Sequence, residues 1–187
     1  MQDRTPGPPG GDEAADRAAS GGAVVPRVAG RVLVVDGSGR VLLLHGYDPA
    51  RPGEPYWFTV GGGAKHGESL PEAAARELRE ETGLTVEPGG LGAPVWNEVT
   101  EFGFEGTCYR QEQDYFLLRA GSHPAVSTAG MDDEEAAFVD GHRWWSVAEL
   151  ESTAESFYPT VLPQLLRDLL GEPDPAAAAA GHTSNTP

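Results

Sequence analysis

The chain carries one cysteine and one lysine in 187 residues. No apolar run approaches the ~18 residues needed to span a bilayer. Each shortage excludes something. A lone Cys108 cannot form an intrachain disulfide and argues against a cysteine metal cage. The N-terminus lacks the apolar stretch of about 7–15 residues that marks a secretory signal, so a cytoplasmic location is expected and no membrane contact. Basic residues are also scarce, 13 against 29 acids, for a formal charge of −16. Such a chain is poorly suited to a polyphosphate groove, which disfavours nucleic acid as a partner, or to an anionic bilayer. An anionic substrate would need positive charge from elsewhere, and a divalent metal is the usual source.

Glycine and proline, by contrast, are abundant, at 25 and 16 residues. The excess gathers at the ends. Residues 1–25 and 172–187 hold almost no large apolar side chains and read as disordered tails. Between them, 26–171 is the right size for one domain, and a monomer or homodimer is expected.

Within that span, two β-branched runs in Val28–Gly46 flank Asp36-Gly37-Ser38-Gly39, a hairpin signature. Tyr56–Val60 reads as a short strand that ends in three glycines. Ser69 and Glu72 form a capping box at the head of the clearest helix, and Gly83 stops it. Ala93–Phe104 and Thr107–Leu118 read as paired strands, and His142–Val147 as another. Ser146 and Glu149 repeat the capping box before a short helix. Tyr158–Leu170 has helical spacing, with Pro163 bending or delaying its start. The pattern predicts α/β or α+β with a mixed sheet.

The helix that follows Ser69 is chemically unusual. Glu77, Glu80 and Glu81 stand at i, i+3 and i+4 and project from one side, where like charges oppose helix formation. That side is expected to face solvent. Their clustering beside Glu68 suits a hard dication, which prefers oxygen ligands, and the glycines ahead could turn a carbonyl toward the same ion. The same charges would also form a solvated face of Glu72–Arg76 and Arg76–Glu80 pairs.

From Gly62 the chain reads Gly, five residues, Glu68, seven residues, Arg76-Glu77-Leu78, one residue, Glu80-Glu81, one residue, Gly83-Leu84. At every fixed position this resembles the signature box of the Nudix hydrolases. The strand order on either side, from about Val28 to Leu170, is also similar to that family. The resemblance implies an α/β/α sandwich with a mixed sheet. It also implies metal-dependent hydrolysis of a nucleoside diphosphate linked to another group, with Mg²⁺ as the ion and Mn²⁺ as its alternative. Carried over by position, Glu80 and Glu81 would ligate metal, and Glu77 would do so directly or through water. Gly61 would lend its carbonyl. Arg76 would orient the glutamates, and Glu68 would brace the loop.

Family members often draw a general base from the loop before a Trp-containing strand. Here that loop is MDDEEAAFVDGH, with Glu135 the first choice and Glu134 the second; Glu112 or Asp114 on the strand YRQEQDYFLL is the third. Arg31, Lys65 and Arg110 are the basic groups best placed to meet phosphates. Trp57, Phe58 and Trp96 could stack on a base or pack in the core. The marks of the ADP-ribose and diadenosine-polyphosphate subgroups are absent, so the substrate stays open. Two alternatives stand beside the hydrolase of small nucleotides. RNA 5′-end pyrophosphohydrolysis is opposed by the acidic charge. A non-catalytic sensor of the same fold is opposed by the complete box.

Overall fold

The computed structural model describes residues 24–171. Seven strands form one mixed sheet: β1 (Val24–Val35), β2 (Val41–Gly46), β3 (Tyr56–Gly63), β4 (Trp96–Phe104), β5 (Thr107–Arg119), β6 (Val139–Trp145) and β7 (Phe157–Tyr158). Three helices pack on it: α1 (Leu70–Thr82), α2 (Val147–Ser152) and α3 (Leu162–Leu170). Val24 and Val25, inside the expected N-terminal tail, pair with Cys108 and Tyr109. The first strand therefore starts ahead of the boundary expected at residue 26. The remainder of both expected tails lies outside the described residues.

The sheet curls because β3 serves two partners. Its C-terminal half, Val60–Gly63, runs antiparallel to Ala29–Val32, while its N-terminal half, Tyr56–Thr59, pairs with Leu43–Gly46 of β2. Beyond the turn the first two strands diverge and meet only at Val35 and Val41. Asp36 holds that turn: its Oδ1 accepts the N–H groups of Ser38 and Arg40 and the Ser38 hydroxyl, at 2.8, 3.0 and 2.7 Å. On its outer edge β1 runs parallel to β5, and β4 closes that side.

Strand alternation divides the core between two layers. Val32, Val34, Leu42, Leu44, Val60 and Phe116 pack with Ala74 and Leu78 of α1. Their neighbours Leu33, Val35, Val41 and Leu43 pack with Val147, Leu150, Leu162 and Leu166 of α2 and α3. The result is the expected α/β/α sandwich. Among the described residues no helix is long and apolar enough to cross a membrane.

Several element ends differ from expectation: β4 begins at Trp96, β6 at Val139 and α3 at Leu162, and two further ends bear on the packing. The glycines after Val60 read as a strand stop but continue β3 to Gly63, because they pair with Ala29–Arg31 of β1. A Cβ on Gly30 would collide with the Leu70 carbonyl and touch Ala74, and Gly61 has a φ of 121°, where other residues are strained. At the other end, Val147 leaves the Trp-containing strand for α2, because Ser146 caps the helix one residue earlier. Gly30→Val should therefore lower the unfolding free energy by at least about 2 kcal/mol by overpacking, measured by urea denaturation, with an unchanged m-value.

Candidate active site

The capping box on Ser69 and the αL glycine at Gly83 set the ends of α1 and fix which residues face the sheet. Glu77 and Glu81 lie on the buried side with Ala73, Ala74 and Leu78, and each is only 1% exposed. This corrects the expectation of a solvent-facing acidic side. Only Glu80 of the three is partly exposed.

Arg76 organises the cluster. Its Nε and Nη2 donate to the two oxygens of Glu68 at 2.9 and 3.0 Å. Nη1 donates to Glu77 at 2.6 Å and Glu80 at 3.1 Å, and Nη2 also reaches the Gly63 carbonyl at 2.9 Å. One planar fork thus joins three carboxylates and the end of β3. Glu68 accepts the Lys65 N–H at 2.8 Å as well. The Arg76 fork, opposed by burial and aided by that N–H, holds its carboxyl below the usual range.

Glu81 is anchored differently, accepting the Gly61 N–H at 2.7 Å. The Gly61 carbonyl in turn accepts from Arg31 Nη1, and it keeps a second lone pair. Burial pushes the Glu77 carboxyl up, and the charges of Glu135 and Glu80 add to this against Arg76. Burial and the Glu77 charge push Glu81 well above the ordinary range, with Glu135 adding to it.

Glu135 is therefore part of the same acidic group, although 54 residues separate it from Glu81 in the chain. The segment that brings it there runs along the end of α1. The Ser127 N–H donates to the Thr82 carbonyl at 2.9 Å, and Gly130 lies so close to the Glu80 backbone that a side chain would collide. Asp132 Oδ1 then accepts the N–H groups of Glu134 and Glu135 at 2.9 and 2.8 Å, which starts a 3₁₀ turn over Glu135–Ala137. Phe138 anchors the turn in a small core with Phe102 and Phe104. Glu135 is buried, whereas Glu134 and Glu112 are exposed and Asp114 is half-buried. Glu112 pairs with Arg110 at 2.9 Å on the outer surface.

Among the described residues no three His, Cys, Asp or Glu side chains already converge as a metal cage. The residues nevertheless fit a hard cation. Glu77 Oε2 is buried without a hydrogen-bond partner, an oxygen whose desolvation nothing in the protein offsets. The surrounding donors are carboxylates and a carbonyl, the oxygen set that Mg²⁺ and Mn²⁺ accept.

Beside this group lies a cavity of about 300 Å³ between β1, β3, β4, β5 and the segment that leads into α3. Of the six residues considered for substrate contact, Arg31 and Phe58 line it. Arg110 alternates away from the inward Gln111 and is exposed. Lys65 is exposed in the loop before α1. Trp57 packs on Trp145, with ring centroids 5.1 Å apart, and its Nε1 donates to Glu155 at 2.7 Å. Trp96 packs on Tyr115 at 4.8 Å. Sequence reading missed the polar wall formed by Glu98, Gln111, Gln113 and Tyr115. The signal available was the alternation of β5, in which Gln111, Gln113 and Tyr115 share one face and Arg110, Glu112 and Asp114 the other. Both sets are polar, so the pattern could not say which turns inward.

A model of the NUDIX domain matches residues 25–165. An RNA pyrophosphohydrolase of Teredinibacter turnerae is 31% identical over 148 residues, covering 74% of this chain and 82% of that protein. Among solved structures, the MutT protein of Methanosarcina mazei superposes with a TM-score of 0.57 at 19% identity, over 80% of this chain and 98% of that one. The E. coli dihydroneopterin triphosphate pyrophosphohydrolase gives 0.56 at 19% identity, over 81% and 100%.

The Arg76 fork yields a stability prediction. Arg76→Lys keeps the charge but reaches fewer of these acceptors, leaving part of the buried acidic group unpaired. The unfolding free energy should fall by roughly 2–4 kcal/mol, read by thermal or urea denaturation. A loss below about 0.5 kcal/mol would mean that the fork does not hold the cluster.

Proposed function

The chain belongs to the Nudix family and is a diphosphate-cleaving hydrolase, and from that premise we propose that it hydrolyses small nucleoside diphosphate derivatives with Mg²⁺ or Mn²⁺ at Glu77, Glu80, Glu81 and the Gly61 carbonyl. The observation that carries the site is the buried, partnerless Glu77 Oε2 within a cluster of acids. Divalent cations are the family's cofactors, and a cation bound here would neutralise phosphate charge and acidify water.

This chain's residues divide the remaining work. Arg76 holds Glu68, Glu77 and Glu80 in fixed positions, so that little reorganisation is needed at reaction. Glu135 accepts the proton of the attacking water: it is buried, and its charge acts on both Glu77 and Glu81. Arg31 joins the two halves of the site. It lines the cavity and bonds to Gly61, whose N–H is held by Glu81. A diphosphate would lie at the acidic end and the nucleoside in the cavity. We place the enzyme in the cytoplasm, as a monomer or homodimer that needs no nucleic-acid partner.

A second reading, removal of pyrophosphate from RNA 5′ ends, is favoured by the name of the 31% identical relative. The charge of −16 opposes it, because a long polyanion is repelled before it docks. A single series separates the two. Nucleoside diphosphate derivatives and a 5′-triphosphorylated RNA are assayed with Mg²⁺ and with EDTA, and the products are identified. Turnover should need the metal and favour the small substrates by at least about tenfold. Glu135→Gln should lower kcat by roughly 10²–10⁴-fold with little change in KM, as expected for loss of a general base. Full activity of that variant would remove Glu135 from the role, and a preference for RNA would reverse the choice of substrate.

A further inference from the structure

The cavity wall has a polarity that the hydrolytic chemistry does not use, and from it we propose that the enzyme selects a guanine-type base through Glu98 and Gln111. This deepens the reading of the cavity as the nucleoside pocket and rests on it.

Two groups at the ends of the wall fix its hydrogen-bond polarity. Arg31 only donates hydrogen bonds, and an ionised Glu98 only accepts them. Gln113 lies between them: its Oε1 accepts from Arg31 Nε at 3.2 Å, and its Nε2 donates to Glu98 Oε1 at 2.5 Å. Its amide can therefore take only one orientation. Gln111 Nε2 donates to the same Gln113 Oε1 at 2.7 Å, which fixes the second amide in turn. The Gln111 side-chain oxygen is left buried and without a partner, on a residue that lines the cavity. The Tyr115 hydroxyl donates to Glu98 Oε1 at 3.0 Å, so its proton is committed too.

The Tyr115 proton and one N–H of each amide are thus committed within the wall. Glu98 still has lone-pair capacity, since a carboxylate offers about four acceptor sites, and Gln111 has an unsatisfied carbonyl. The Thr100 and Thr160 hydroxyls at the rim can serve either way, and Phe58, Phe102 and Tyr158 supply apolar lining suited to a flat ring. The pocket asks for a planar heterocycle with adjacent N–H donors. Guanine presents a ring N–H beside an exocyclic amine. Adenine and cytosine set an amine beside a bare ring nitrogen, and uracil sets its N–H between two carbonyls. Each of these would aim a lone pair at an acceptor, which leaves buried polar groups unpaired.

The test is calorimetric binding, with Mg²⁺ present, of the non-hydrolysable α,β-methylene diphosphates of guanosine, inosine and adenosine. The wild-type chain should bind the guanosine compound at least about tenfold more tightly than the inosine compound, which lacks only the amine, and also more tightly than the adenosine compound. Glu98→Gln should bring guanosine and inosine within about twofold. Gln111→Leu should weaken guanosine binding without lowering Tm, because it removes a stranded oxygen along with its donor. Equal affinity for the three compounds, or a wild-type order retained in Glu98→Gln, overturns the assignment. The two readings fail separately. Hydrolysis of guanosine, inosine and adenosine diphosphate derivatives with no base preference would overturn this inference alone. Guanosine-selective binding without any hydrolysis would uphold it and overturn the reaction.

Discussion

Two glutamates one helical turn apart, Glu77 and Glu81, are each buried to 1% exposure, and most of the surrounding structure answers to that. Burial and mutual repulsion both oppose ionisation there. An arrangement of this kind persists only where other groups share the charge. Arg76 does so on the outer side, and the Gly61 N–H does so on the sheet side. Neither reaches Glu77 Oε2. That unpartnered oxygen is the feature on which the proposed cation site rests.

The glycines follow from the same constraint. For Glu81 to bond the Gly61 amide, α1 must lie directly on β3 and β1. At Gly30 a Cβ would collide with the Leu70 carbonyl, and at Gly61 with the backbone of β1. Chemistry at the helix therefore dictates residue choice in the strands below it. The run Gly61–Gly63 is strand and not loop because it pairs with Ala29–Arg31 of β1, although its composition alone argues the opposite.

How much of this was legible depended on how local the determinants are. The box was readable because helix spacing, a capping box and an αL glycine lie within 23 residues, from Gly62 to Leu84. The turn between β1 and β2 was readable from the two apolar runs and the Asp36-Gly37-Ser38-Gly39 sequence between them. Burial of Glu77 and Glu81 was not, because it depends on which face of α1 meets the sheet, and acids on a helix ordinarily face water. Glu135 could be reached only through resemblance. Its position depends on the Ser127–Thr82 bond, the close packing of Gly130 on Glu80 and the Asp132 turn, none of which has a sequence period. The cavity wall was the least legible part, since β4 and β5 carry polar residues on both faces and only the fold selects one.

The site therefore has two ends of different physical character. At the acidic end, buried carboxylates repel one another, and Arg76 and the Gly61 N–H offset part of that repulsion. At the cavity end the wall carries Arg31, buried and bonded to Gln113, Thr59 and Gly61, and Glu98 at the other end of the amide relay. What distinguishes ligands there is the direction of hydrogen bonds, set by a relay of amides between one obligate donor and one obligate acceptor. On the proposed reading, the helix encodes reaction type and the strands encode ligand choice. Because Arg31 touches both Gly61 and Gln113, a substitution at this one residue would disturb both ends at once, whereas changes at Glu98 or Gln111 are free to alter selectivity without touching the acidic cluster.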